Sequence, residues 1–393
     1  MIYLDNSATT RLYPEVLDAM LPYLQEEYGN PSSKYYTLAK NAQRAVEESR
    51  EAVAKLIHAT PEEIVFTCGS TESTNMILKG VADYRKLYEK KGNHIITSKA
   101  EHHATLNTCK YLNGELYSNH DASFSLLGSV PKVDRGFRVS FLDVNQYAQV
   151  EPSVFEKEIC SDSILASFIW GNNEVGSLNN ISLLGTIAKQ HDVRLHIDGT
   201  QVVGKMDIDV NQLPVDFMSI SAHKLHGPKG IGAAYIHGDM YGLPPITSFM
   251  HGGEQENGMR AGTLAVHNIV GFGKAAQIAL QHQEERIRAL KKLDTSVRAL
   301  LEAHCNVEVL GDPFNHIPGL FSIVVKTKSF DNERFIRRVS EKIAVSTGSA
   351  CTAGMPSHVL QAMGREDDVS RVIRISLSER NTIDDVRQLL ELL

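Results

Sequence analysis

Short apolar runs recur along the chain at EIVFT, HIITS, RVSFL, ILASFI, VRLHI and DFMSI, and each reads as a strand. Most are separated by stretches of helical period, such as Ser182 to Gln190. Two helices come early. One opens at Pro14 and runs to about Tyr28, with Val16, Leu17, Met20, Tyr23 and Leu24 on one face and Gly29 as its stop, and the other covers about Leu38 to Ile57. Strands alternating with helices predict an α/β fold, a mainly parallel sheet with helices on both faces. From about Leu264 the texture becomes a long helical stretch, followed by a smaller set of strands, GLFSIVV, IAV and RVIRISL, and a closing helix at DDVRQLLELL. This predicts a large α/β domain up to about residue 260 and a smaller α+β domain after it. One region, Asn113 to Phe137, has no sustained period and reads as a loop or flap.

Composition narrows the class. A chain of 393 residues with 42% hydrophobic content supports a sizeable core. Its net charge of −7 gives no general attraction to nucleic acid or anionic membranes, so neither is an expected partner. The amino terminus, MIYLDNSATT, lacks a basic head and a long apolar run, and a cytoplasmic protein is expected. The five cysteines, Cys68, Cys109, Cys160, Cys305 and Cys351, are widely spaced and in no metal-ligand pattern, so free thiols and no metal are expected.

The candidate chemistry centres on SISAHKLHGPKGIGAAYI, which places Lys224 just beyond the strand DFMSI, among small, hydroxyl and glycine residues. A partly desolvated lysine at the mouth of a sheet can attack an aldehyde carbon. A surface lysine in a turn fits the same segment. One strand earlier, VRLHIDGTQ ends in Asp198, at the carboxyl end where open sheets bind ligands. Pyridoxal phosphate needs a lysine on its aldehyde and a carboxylate on its ring nitrogen, and Lys224 and Asp198 supply that pair.

Other motifs extend this reading. TCGSTESTN, Thr67 to Asn75, follows a strand and opens a helix, either aiming N–H groups at a phosphate or forming a capping box with Ser70 or Thr71 as cap. His102 and His103 follow HIITS; an imidazole there can stack on a flat cofactor and move protons, or merely cap a helix. Asn173 lies in WGNNEVG, either donating to a phenolic oxygen or shaping a turn. The glycine-rich HGGEQENGMRAGT suits a phosphate contact, a subunit crossing or a plain loop. Cys351 sits among small residues in STGSACTAG, as a nucleophile able to travel would, whereas the other four cysteines fit structural positions better. Arg374, mid-strand in RVIRISL, calls for a carboxylate, from a substrate or from an internal salt bridge.

As a set, from YLDNSATT to RISLSERNT, these motifs resemble the cysteine desulfurases, pyridoxal-phosphate enzymes of the class V aminotransferase (fold type I) group. STGSACTA is similar to the NifS/IscS-type loop rather than the SufS-type. The resemblance implies that L-cysteine becomes L-alanine while its sulfur is held as a persulfide on Cys351 for an acceptor protein. It implies Lys224 as the cofactor's lysine, Asp198 as the partner of the ring nitrogen, Gln201 and Asn173 as donors to the ring oxygen, and His102 as the stacking residue. Ser70, Thr71, Ser221 and His223 would hold the phosphate, with Thr263 arriving from the other subunit of a homodimer. Arg374, with Asn30 of YGNPSS, would bind the substrate carboxylate. Residues 14–260 would form the cofactor domain, and 1–13 with 261–393 the small domain that carries the Cys351 loop.

Three features depart from the family pattern. The segment after His102 is longer by roughly twenty residues, within Asn113 to Phe137. The chain stops at Leu393, where IscS-type chains continue, and Lys34, Tyr35 and Tyr36 stand where a histidine follows the NPSS turn. We expect the extra segment near the site entrance or the surface around it, helping to select a recipient other than the general Fe–S scaffold, such as a tRNA-thiolating enzyme or a DNA phosphorothioation system. The alternatives are a selenocysteine lyase, another enzyme of the fold, or a non-catalytic sulfur-relay subunit.

Overall fold

The computed structural model describes residues 1–115, 133–238, 242–348 and 356–393. Cys351 and most of the 113–137 segment lie outside them. The large sheet contains β2 (Ile64–Thr67), β3 (His94–Ser98), β4 (Arg138–Leu142), β5 (Ser163–Ile169), β6 (Arg194–Asp198), β7 (Phe217–Ser221) and β8 (Gly232–Ile236). Its order is β2-β8-β7-β6-β5-β3-β4. Only β8 runs against the others, through antiparallel ladders with β2 and β7. The strands are apolar on both faces because both faces are covered.

The pleat divides neighbouring residues between two cores. Ile96, Phe168, Ile197 and Met218 face one layer, which includes α1 (Pro14–Gln25), α2 (Thr37–Lys55), α5 (Pro152–Glu158), α6 (Ile181–Gln190) and α7 (Val266–Gln281). Ile95, Leu165 and Phe217 face the other, built from α3 (Ser70–Leu87) and α4 (His103–Leu112). The first helix ends at Gln25, short of the expected Tyr28, and of its expected face Val16 and Met20 are buried, while Leu17 and Leu24 are exposed. The large core extends past residue 260 to take in Phe272, Ala275 and Ala276 of α7.

A second unit follows α8 (Gln283–Ala303). Its antiparallel sheet has β10 (Leu320–Val325) between β12 (Val372–Ser376) and β9 (Val307–Leu310). Phe321, Ile323, Ile373 and Ile375 form its core with Val297 and Leu301 of α8. The amino-terminal β1 (Ile2–Tyr3) pairs with β11 (Ile343–Ala344) of this unit, and Leu4 enters the same core. The next residues, Asp5 to Ala8, then lead into the cavity between the two units.

The long segment after α4 is rooted away from the expected place. Val133 N donates to Gly114 O at 2.8 Å, and Val139 N to Asn113 Oδ1 at 3.2 Å, so both stems sit where β4 begins. There Arg138 lies beside His94, the first residue of β3. The stems therefore occupy the amino edge of the sheet, not the carboxyl edge where the cavity lies. The reason is topological: α4 starts at the carboxyl edge and carries the chain back before the parallel strand β4 can begin.

Candidate active site

Parallel strands end on the same side, and the loops after β2, β3, β5, β6 and β7 converge there on a cavity of about 410 Å³. Ser7, Ala8, Ser70, Thr71, His102, Asn173, Asp198, Gln201, His223, Lys224 and Arg374 are among its walls. Nine residues chosen from the sequence are thus brought together by five strand ends and the small unit.

Lys224 closes a short 3-10 turn, Ala222–Lys224, directly after β7, and Asp198 is the last residue of neighbouring β6. The Lys224 ammonium donates to the carbonyls of Ser7 (2.5 Å) and Ala8 (2.7 Å), which tie the amino-terminal segment to the site. Asp198 Oδ1 accepts from Thr200 N at 3.0 Å. Gln201 Nε2 donates to Ser7 O, while Lys205 Nζ donates to Gln201 Oε1 at 3.2 Å, which fixes the orientation of that amide.

His102 caps α4, its Nδ1 accepting from Ala104 N at 3.1 Å, and its ring also lines the cavity. Burial pulls its basicity down against the pull of Asp198, so the imidazole is neutral, with its proton on Nε2. His223, facing the same cavity, is pushed down to about 4 by burial and then by Lys224 and Lys229.

The capping-box reading of Ser70 and Thr71 does not hold. The cap of α3 is Gly69, at φ 150°, and its third helical residue, Glu72, accepts from Cys68 N at 2.7 Å, leaving the Ser70 and Thr71 hydroxyls at the cavity. Position 69 favours glycine through its φ of 150°, and the strand opposite must be glycine as well, since a Cβ on Gly232 of β8 would come within 2.6 Å of the Gly69 Cα. The first N–H groups of an 18-residue helix therefore face the cavity beside these hydroxyls. Ser221 is buried behind Gly69, its Oγ 3.8 Å from where a Gly69 Cβ would stand.

Arg374 is 1% exposed. It pairs with Asp5 at 2.8 Å and donates to the carbonyls of Asn173 and Gly348, both at 2.9 Å, so the internal salt bridge exists. Its Nε has no protein partner, and the side chain still lines the cavity. Asn30 and Thr263 are exposed and lie outside this chain's cavity wall. Gly348 and Ser357, on either side of the stretch carrying Cys351, both meet the wall at Glu174, Ser357 Oγ donating to its carboxylate at 2.5 Å. Of the other cysteines only Cys109 is buried; Cys68, Cys160 and Cys305 are exposed free thiols, against the structural reading.

Sequence reasoning missed Glu101, Glu174, Thr200 and His358. Glu101 is fully enclosed, accepts from Ser98 Oγ at 2.6 Å, and is held well above the usual carboxylate range by burial. His358 Nε2 donates to Glu101 O at 2.8 Å, and its ring centroid lies 4.5 Å from that of His103. Only the adjacency of His103 to His102 was a usable signal.

Pyridoxal phosphate fits these walls. The cavity has the volume of a cofactor site. Two hydroxyls on it, Ser7 Oγ and Thr200 Oγ1, are buried without a partner, as donors awaiting a polar ligand would be. The sequence profile of the class-V aminotransferases matches residues 2–389. The chain belongs to that family, among the cysteine desulfurases. It is 39% identical over 393 residues to the cysteine desulfurase IscS of Methylococcus capsulatus, covering 98% of this chain and 89% of that one. Among solved structures, a NifS-like protein matches with a TM-score of 0.84 and 34% identity, covering 99% of this chain and 97% of the other. SspA in complex with cysteine matches with a TM-score of 0.78 and 31% identity, covering 96% and 99%. This class-V aminotransferase is of the pyridoxal-phosphate-dependent kind.

Proposed function

We propose that this chain is a cysteine desulfurase: L-cysteine and the Cys351 thiol become L-alanine and a Cys351 persulfide, which passes its outer sulfur to an acceptor. The observation that carries the reading is Lys224 and Asp198 on adjacent strand ends facing one cavity, with His102 and the amino end of α3 on its walls. Cysteine as substrate is supported by the name of the Methylococcus relative and by the cysteine complex of SspA.

In this reading Lys224 holds the cofactor's aldehyde carbon, Asp198 its ring nitrogen, Gln201 and Asn173 its ring oxygen, and Ser70, Thr71, Ser221 and His223 its phosphate. Bound there, the cofactor withdraws electron density from the substrate's α-carbon and so loosens the bond from Cβ to sulfur. Once free of the cofactor, the Lys224 amine would take the α-proton and return it to the α-carbon, while Cβ takes the proton that the Cys351 thiol gives up. Neutral His102 carries its proton on Nε2 and accepts on that nitrogen only after giving it up, which suits a relay between substrate amine and sulfur. Arg374 already spends one edge on Asp5, and its partnerless Nε marks the edge for a substrate carboxylate. Cys351, three residues beyond Gly348, attacks the substrate sulfur as a thiolate; the carbon–sulfur pair stays with carbon and takes the proton.

Thr263 reaching a second subunit's phosphate site, Asn30 assisting the carboxylate, and a small domain of 1–13 with 261–393 complete the proposal. Among the described residues no helix is long and apolar enough to cross a membrane, which is compatible with a cytoplasmic enzyme. Borohydride reduction of the cofactor-loaded protein followed by peptide mass mapping tests the site. The cofactor's mass is expected on the peptide containing Lys224; its appearance on another lysine contradicts the assignment.

A further inference from the structure

We propose that His94, Cys160 and Asp162 form a binding site for a borderline-soft divalent cation, Zn²⁺, at the amino edge of the large sheet. His94 is the first residue of β3, and Cys160 and Asp162 shape the turn into β5, so the site lies across the sheet from the cofactor cavity. One ligand atom from each, imidazole N, thiol S and carboxylate O, lie within 4.8 Å of one another. Cys160 Sγ is 3.2 Å from His94 Nδ1 and 2.9 Å from Asp162 Oδ1. Ligand atoms around tetrahedral zinc stand about 3.3–3.8 Å apart, so the sulfur has to part from each of these two neighbours by only about half an ångström.

The surroundings aim the ligands. His94 Nε2 is 2.9 Å from Ser140 Oγ, whose hydroxyl donates to Glu158 Oε1 at 2.5 Å. Ser140 must then accept from His94 Nε2–H, which leaves the Nδ1 lone pair facing Cys160 and Asp162. Ser163 Oγ, 2.8 Å from Nδ1, is the hydroxyl that the ion displaces. Arg138 Nη2 sits 3.2 Å from the sulfur and 3.4 Å from Asp162, placing positive charge where a cation would go. Its side chain is half exposed and can withdraw, and Cys160 is open to solvent, which leaves a fourth position for water. Binding releases the thiol proton to solvent and leaves a metal-bound thiolate.

The test titrates Co²⁺, then Zn²⁺, into the cofactor-loaded protein carrying Cys351→Ser, which removes a competing thiol. Tetrahedral Co²⁺ bands in the visible, with thiolate charge transfer, are expected at one ion per chain and should vanish as Zn²⁺ displaces it. Cys160→Ser and His94→Gln should abolish them, and Ser140→Ala should weaken affinity about 10–100-fold. Arg138→Ala, which keeps every ligand and alters only an exposed side chain, should tighten binding. Absence of the bands, their survival in Cys160→Ser, or weaker binding in Arg138→Ala would overturn the proposal.

Discussion

At the scale of single residues, the site is a set of groups whose partners decide what each can do. Arg374 is the sharpest case, because it is buried, ion-paired and still short of one partner. Arg374→Lys keeps the charge but loses the fork, so we expect KM for L-cysteine to rise about tenfold or more with a smaller change in kcat. Steady-state kinetics that show KM unchanged would remove Arg374 from substrate binding. If His102 carries protons as proposed, His102→Ala should lower kcat by about 10²–10⁴-fold while the protein still takes up cofactor. Much of this chemistry was legible in the sequence. Lys224 and Asp198 stand directly at the ends of apolar runs, where strand direction alone decides what they face. Glu101 and His358 were not legible, because their roles depend on packing between segments more than 250 residues apart.

At the scale of elements, buried polar ladders cross the sheet. His196 in β6 is fully buried between Ser167 Oγ and Ser219 Oγ, each 2.8 Å away, and Ser219 also accepts from Thr74 of α3 at 2.9 Å. Burial pushes this imidazole down to about 4, whereas an unfolded histidine titrates near 6.5. Its contribution is therefore intact above pH 6.5 and is lost as pH falls toward 4, at up to about 1.4 kcal/mol per pH unit. Denaturant midpoints across this window should fall less steeply for His196→Gln than for the wild type; equal slopes would contradict the assignment. Strand and helix identities followed the periodicity well, because apolar runs covered on both faces need little context. The exposed Leu17 and Leu24 show its limit, since an apolar stripe does not say which of its members a neighbour covers. The cap of α3 was misplaced for a similar reason: Gly69 turns the chain at φ 150° against Gly232 of β8, and no local pattern reports that packing.

At the scale of the whole molecule, the cofactor cavity and the stems of the long segment after α4 lie at opposite edges of one sheet. Removing residues 118–131, which spares Val133 and its bond to Gly114 O, should leave turnover of L-cysteine within about twofold of wild type. A loss of tenfold or more would show that the segment acts on the site despite where it is rooted. The small unit, by contrast, supplies Arg374 and the stems of the Cys351 stretch, so chemistry needs both units docked. The direct test of this is alanine and sulfide production from L-cysteine with a reductant, by cofactor-loaded wild type and Cys351→Ala. We predict both products from wild type and neither above background from the variant, with the cofactor's absorbance retained in both. Equal yields of alanine and sulfide from Cys351→Ala would contradict the account.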